Sequence, residues 1–375
     1  MYMRNVPLTD AILQHAHDYN WEIIDTRFFG SDLEGEHEFQ ADGILSSRDM
    51  PLAVFKSLTP SVVYVGHRAW FKRDEQVGVV EADHVQVGRL GAEHFLERGF
   101  QHVSGINTPV GGKHASGKIA DPTVEVGLGL DRRLKEGGIR CLDPLLLPDE
   151  GYRRGRQRFQ AWLAHVPRPV GLLVWQDRRA AEVCGWCRDL GVAVPEEVAV
   201  LGIDNKVQLC NLSPRPLSSI DTDYAAQGRE AARLLQRMME GKQTPSALVQ
   251  VQPSGVVTRK STDILAIPDV AVAKAISFIW EHMGEPISAE DVAGMSGFSR
   301  STLDRRFRKH LGRSINEEML RKRLELCREL LLSTDLTMVD IAPRVGLLSK
   351  NYLHRAFRKR FGCSPKEFRQ SAVRG

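Results

Sequence analysis

Two rhythms of apolar residues divide the chain, with the change near residue 260. Ahead of it, short apolar runs alternate with amphipathic stretches; behind it only helical spacing remains. The runs Trp21–Thr26, Gly43–Ser46, Ser61–Gly66, Val77–Glu81, Val170–Trp175 and Val198–Ile203 read as strands, as does one ending near Ile106. Helices are expected over Pro7–Asn20, Val85–Arg98, Arg153–His165 and Arg178–Leu190. Strand–helix alternation predicts an α/β fold with parallel sheets and helices on both faces. Its length suggests two lobes, with ligands taken at the carboxyl ends of strands in the cleft between them. The predicted organisation is an α/β domain over residues 1–260, a short link over 261–268 and an all-α domain over 269–375.

The all-α part repeats itself. Ser299–Ser314 (SRSTLDRRFRKHLGRS) returns 50 residues later as Ser349–Ser364 (SKNYLHRAFRKRFGCS). Leu303/Leu353, Arg305/Arg355, Phe307/Phe357, Arg308/Arg358, Lys309/Lys359 and Gly312/Gly362 match. Each copy follows a short amphipathic helix and a glycine: Ser288–Ser296 before Gly297, and Met338–Val345, with Thr337 as its N-cap, before Gly346. Helix, glycine turn, helix is the helix-turn-helix, whose second helix enters the major groove. Leu303 and Phe307, like Leu353 and Phe357, are four apart and must face a core.

The opposite face then carries Arg300, Ser301, Asp304 and Arg305 in the first copy. In the second it carries Lys350, Asn351, His354 and Arg355. Arg and Lys suit guanine, Asn suits adenine and Asp suits the cytosine amine. Arg308, Lys309, Arg358, Lys359 and Arg360 stand nearer the helix ends, where phosphates are the expected partner. Arg321–Arg328 reads as a helix linking the copies. Residues 270–370 resemble the AraC-family DNA-binding domain. That resemblance implies seven helices and one monomer reading two successive major-groove segments of double-stranded DNA. Two features depart from the family pattern. Pro343 inside the second scaffold helix removes a donor at a cost of about 3 kcal/mol or a kink. Leu347 and Leu348 add a residue before the second recognition helix.

Charge agrees with this division. Residues 265–375 hold 20 Lys and Arg against 13 Asp and Glu, whereas the remainder holds 31 against 34. A polyanion partner is therefore expected for the C-terminal third alone. No apolar run is long enough to span a bilayer, the N-terminus shows no signal-peptide core, and six scattered cysteines form no disulfide framework. A cytoplasmic protein without a membrane partner is the expectation.

Within the α/β part, Trp175-Gln176-Asp177 and Gly202-Ile203-Asp204-Asn205 place polar side chains at strand ends. Carboxylates and amides bind sugar hydroxyls in pairs, and Trp175 offers a stacking face. Asp177 and Asp204 are equally open to a reading as caps of the helices that follow. The stretches Val194–Asn205, Pro216–Ile220 and Thr258–Asp263 resemble LacI-type periplasmic-binding-protein sensors, specifically their xylose-regulator branch. The resemblance implies a sensor for a small-molecule effector, a sugar such as a pentose. It makes Asp204 and Asp177 ligand contacts, with Asn205 and Arg154 beside them. It also implies a homodimer formed through the sensor, with RNA polymerase as a further partner of a transcription regulator. Sensors of that fold open with a central strand, and none precedes Pro7–Asn20. Either translation starts upstream or the sensor has decayed into a ligand-free form.

Three enzyme-like signals are weak. Gly112–Lys118 nearly spells a phosphate-binding loop, but Ile119 stands where a hydroxyl should hold magnesium. Nucleotide binding there is the rival reading. Cys184 and Cys187 fall too far into a helix for thiol activation and read as packing residues. Scattered histidines, among them His67 and His84, form no metal motif. Neither catalytic residues nor a cofactor are expected.

Overall fold

The computed structural model describes residues 6–24, 41–47, 59, 61–67, 77–107, 122–147, 151–242, 247–267, 269–347 and 349–374. They divide into two compact units. One comprises residues up to Phe95 with Gln101–Ile264; the other comprises Leu96–Phe100 with Leu265 onward.

The first unit holds two sheets. Strands β1 (Ile44–Ser46), β2 (Val62–Val65), β3 (Gly78–Ala82) and β9 (Leu248–Val251) form a parallel sheet in the order β1-β2-β3-β9. The second sheet has the order β10-β8-β7-β6-β4-β5. Its strands are β4 (His102–Asn107), β5 (Leu145–Leu146), β6 (Val170–Val174), β7 (Val198–Ile203), β8 (Ser218–Asp221) and β10 (Gly255–Val257). Only β10 runs antiparallel, with Val256 opposite Ile220. The chain passes between the sheets after β3, after β8 and after β9, which makes the unit two-lobed.

Strands β6 and β7 are apolar throughout and buried throughout, as parallel strands covered on both faces must be. Helices α1 (Val6–Asp18), α2 (His84–Glu97), α3 (Pro122–Glu136), α4 (Tyr152–Leu163), α5 (Asp177–Asp189), α6 (Val207–Leu212) and α7 (Tyr224–Met239) complete the unit. Phe159, Trp186, Leu172 and Val200 centre the core of the larger sheet; Val63, Val80, Leu234 and Leu235 centre that of the smaller.

One expected strand does not form among the described residues. Trp21–Ile24 is irregular, and Asp25 and Thr26 lie outside the described residues. Trp21 is drawn to a helix instead, its Nε1 donating to Gln236 Oε1 of α7 at 2.6 Å, while Ile23 and Ile24 stay exposed. The expected link at 261–268 is also narrower. Ser261 and Thr262 are fully buried, Ser261 donating to Val200 O at 2.6 Å and Thr262 to Ser218 Oγ at 2.7 Å.

Among the described residues of the second unit seven helices follow: α8 (Val270–Glu281), α9 (Ala289–Ser296), α10 (Arg300–Leu311), α11 (Ile315–Ser333), α12 (Met338–Arg344), α13 (Lys350–Phe361) and α14 (Pro365–Arg374). They enclose two small cores. Val272, Ile276, Val292, Leu303 and Phe307 form the first; Ile341, Val345, Leu353 and Phe357 form the second. Helix α11 serves both, giving Ile315 and Met319 to one and Leu324, Cys327 and Leu331 to the other. No helix among the described residues is long and apolar enough to cross a membrane.

Candidate functional site

The two glycine-turn pairs, α9–α10 and α12–α13, are built alike. Serine caps open both second helices: Ser299 Oγ accepts from Thr302 N at 3.4 Å, and Ser349 Oγ from Tyr352 N at 3.3 Å. Gly312 and Gly362 close them in the left-handed conformation, which lets each helix stop within one residue. The matched apolar residues Leu303, Phe307, Leu353 and Phe357 are all fully buried. Burying that face leaves the other outward. Arg300, Ser301, Arg305, Arg308 and Lys309 are exposed on α10, and Lys350, Asn351, His354, Arg355, Arg358 and Lys359 on α13.

Asp304 departs from the expected groove-facing reader. It is only 20% exposed, and its carboxylate accepts from Ile315 N at 2.9 Å and pairs with Arg308 Nη2 at 2.7 Å. The side chain thus supports the first turn of α11, where unpaired amides attract a carboxylate. Arg300 pairs with Glu290 of α9.

The scaffold helices carry their own start signals. Ser288 and Asp291 bond reciprocally at the start of α9, and Thr337 donates to Asp340 at the start of α12. Helix α12 continues through Pro343. It lies one residue from the end of a seven-residue helix, and Val339, whose carbonyl loses a donor, is exposed to water. On α11, fully buried Glu318 holds Arg313 Nε at 2.6 Å and Arg321 Nη2 at 2.8 Å, with Trp280 Nε1 at 3.2 Å. Burial opposes ionisation of Glu318, yet the two guanidiniums bring its pKa down to about 2.

In the first unit, Asp177, Asp204 and Asn205 come together at the carboxyl edge of the larger sheet. Asp177 is fully buried; its Oδ1 accepts from Ser219 Oγ at 2.5 Å and its Oδ2 from Lys206 N at 2.7 Å. Asp204 accepts from Tyr224 Oη at 3.0 Å and Lys206 Nζ at 2.9 Å. Asn205 donates to Asp221 Oδ2 and accepts from Arg259 Nη2, both at 2.9 Å. Burial, and then the charge of Asp204, push the Asp177 carboxyl up to about 7. Neither aspartate caps the helix that follows it through its own side chain; Gln176 is the N-cap of α5 and Lys206 that of α6.

Four non-glycine residues along this edge hold positive φ: Gln176 at 67°, Asp204 at 108°, Asn205 at 50° and Asp223 at 54°. Backbone strain of that kind costs about 1–3 kcal/mol per residue and concentrates at ligand sites. Arg154 stands exposed on the first turn of α4 and makes no hydrogen bond to this network among the described residues.

Sequence reasoning missed a second convergence. His67, Glu81 and His84 meet at the carboxyl edge of the smaller sheet, each offering one ligand atom within 4.8 Å of the others. Burial, and then the proximity of His67, lower the His84 pKa to about 4. The His84 ring meets that of Trp175 edge-on at 5.6 Å, and the Trp175 Nε1 is buried without a hydrogen-bond partner among the described residues. Only strand register shows this grouping. Cys184 and Cys187 are buried within α5, and burial raises the Cys184 thiol to about 12, as inert packing residues require. Gly112–Lys118 lies outside the described residues, and no comparison supports nucleotide binding there.

Residues 92–262 match the periplasmic binding protein-like domain, and residues 292–371 match a helix-turn-helix domain. The xylose operon regulatory protein of Escherichia coli K12 is 33% identical over 220 residues, covering 59% of this chain and 56% of that protein. The chain thus aligns with little more than half the length of that relative. The Haemophilus influenzae protein of the same description is 25% identical over 353 residues, 93% of this chain and 90% of its own. Among solved structures, a xylose-binding transcription activator, xylR, shares the fold with a TM-score of 0.57 at 24% identity, over 98% of this chain and 94% of that one. The chain therefore matches a periplasmic binding protein-like domain followed by a helix-turn-helix domain and is similar to the xylose operon regulators.

Proposed function

We propose that this protein is a sequence-specific DNA-binding transcriptional regulator whose action on double-stranded DNA is set by a small sugar. The observation that carries the reading is the pair of glycine-turn helices on one shared helix, each with a fully buried core face and an exposed basic face. Arg305, Arg355 and Asn351 are the base readers in this reading; Arg308, Lys309, Arg358 and Lys359 hold phosphates. The protein works in the cytoplasm as a homodimer, without catalysis, and addresses RNA polymerase from its operator.

Asp204, Asp177 and Asn205 are the groups that sense the sugar, with Arg154 beside them. A pentose such as xylose is the first effector to try, since the similar regulators are named for it. The sugar acts by binding one arrangement of the two lobes more tightly than the other. A second reading has a specific observation behind it. Asp177, Asp204 and Asn205 are tied to Ser219, Lys206, Tyr224, Asp221 and Arg259, a network that suits a sensor that has become structural.

Footprinting of the full-length protein on its own upstream DNA, with a panel of pentoses and hexoses, separates the readings. Two protected major-groove segments that sharpen with one sugar are expected. Protection indifferent to every sugar favours the ligand-free sensor, and absence of protection defeats the DNA-binding reading.

A further inference from the structure

We propose that His67, Glu81 and His84 form a binding site for a divalent transition-metal ion of the Zn²⁺ class within the first unit. The inference goes beyond the sugar-responsive reading and does not depend on it.

Strand pairing creates the site. In the parallel pair β2–β3, Val65 lies opposite Val80, so the chain delivers His67 and Glu81 to the same edge. Three residues past Glu81, His84 opens helix α2 and turns back over that edge. The donor atoms of all three lie within 4.8 Å of one another. A tetrahedral zinc ion with bonds of about 2.0–2.2 Å separates its ligands by roughly 3.5 Å. Rotamer adjustments of about 1 Å at the two rings close that gap.

Burial and bonding support metal over a chance grouping. His67 is 6% exposed, and both its ring nitrogens lack a hydrogen-bond partner among the described residues. His84 Nδ1 is likewise buried without one. Buried imidazole nitrogens are ordinarily bonded. Here they face a carboxylate that is itself 4% exposed.

Glu81 is also oriented from behind. It sits opposite Gln250 of β9 in the sheet, and Gln250 Nε2 donates to its Oε1 at 3.1 Å. A ligating carboxylate steered by a neighbouring donor is the usual second layer of a metal site. Glu125 Oε2 of α3, 3.5 Å from His67 Nε2, stands as a further oxygen at the margin, and Asp83 is turned away to Gln86 N and Gln252 Nε2.

Two imidazoles and one carboxylate suit zinc, nickel, copper or ferrous iron rather than calcium or magnesium. Three protein ligands leave a coordination position open, and the His84 ring already touches Trp175 at the end of β6.

The test uses the full chain, stripped with a chelator and titrated with Zn²⁺ against a chromophoric competitor. One equivalent per chain is expected, with His67→Asn and Glu81→Gln each weakening binding at least about tenfold. Replacing Cys184 and Cys187 with serine should leave both affinity and stoichiometry unchanged. Unchanged binding in the His67 and Glu81 variants, or none in the natural chain, overturns the site. Because those variants could misfold, Co²⁺ is added to the unaltered protein as well. Visible d–d bands without thiolate charge transfer support the His–Glu–His set, whereas a thiolate band places the ion on cysteine and overturns it.

Discussion

The two helix-turn-helix copies pack their cores alike and differ at the turn. Leu303 and Phe307 superpose in role on Leu353 and Phe357, and both second helices end on a left-handed glycine. At the first turn, Gly297 leads through Phe298 alone to the cap Ser299, and a side chain added at Gly297 would meet nothing within 4 Å. At the second, Gly346 is followed by two leucines, and an added Cβ would lie 2.3 Å from the carbonyl of Glu285. That carbonyl also accepts from Arg323 Nη2 of α11 at 3.1 Å. The first turn is open and the second is wedged against the loop ahead of α9. Duplication kept what packs each helix and released what sets its turn. The consequence is that one scaffold presents two exposed basic helices whose settings differ.

The largest effects should fall where the copies agree. Phe307→Ala and Phe357→Ala each remove a fully buried ring, and each should cost about 3–5 kcal/mol. Thermal unfolding followed by circular dichroism is the measure, with both losses of similar size. A much smaller loss at Phe357 would mean that the second core is not packed as tightly as the first.

The next effect separates the copies. Both glycines hold left-handed backbone, at φ 72° for Gly297 and 69° for Gly346. Alanine at Gly297 should therefore cost only the conformational penalty, roughly 1–2 kcal/mol. Alanine at Gly346 adds a steric clash and should cost about 2–4 kcal/mol. Equal losses in chemical denaturation would show that the second turn relaxes freely and that the wedge is not what fixes it.

Much of this was legible from the residues. The 50-residue repeat and the i, i+4 pairs gave both recognition helices, because a local pattern decides which face is buried. The threonine start at Thr337 was readable for the same reason. What the pattern could not supply was anything set by partners distant along the chain. Trp21–Thr26 has the composition of a strand, but Trp21 found Gln236 on a helix 215 residues away. The short strands Leu248–Val251 and Gly255–Val257 are defined by their sheet neighbours, not by their own alternation. Asp177 and Asp204 were rightly placed at strand ends, but Ser219 of β8, which holds Asp177, and Tyr224 of α7, which holds Asp204, come from other elements. His67 and His84 looked scattered because only the β2–β3 register brings them together.

The smallest effect is also the most discriminating. Arg305 and Arg355 occupy equivalent exposed positions, while between the copies Asp304 is replaced by His354. Asp304 is tied to Ile315 N and Arg308, whereas His354 is exposed on α13. If Asp304 is a support and Arg305 a reader, their alanine variants part company. Arg305→Ala should cost about 1–3 kcal/mol on the cognate site and little on random DNA. Asp304→Ala should leave the sequence preference alone and lower stability by about 1 kcal/mol, as loss of a helix-start carboxylate does. Lys309→Ala should weaken every sequence alike and reduce the salt dependence of log K by about 0.9. Binding titrations at several salt concentrations on cognate and random duplexes measure the three effects on binding, and thermal unfolding measures the stability of the Asp304 variant. An Asp304→Ala variant that keeps its stability but changes base preference would restore that residue to the groove. The contrast between the copies would then lie in chemistry as well as in the turn.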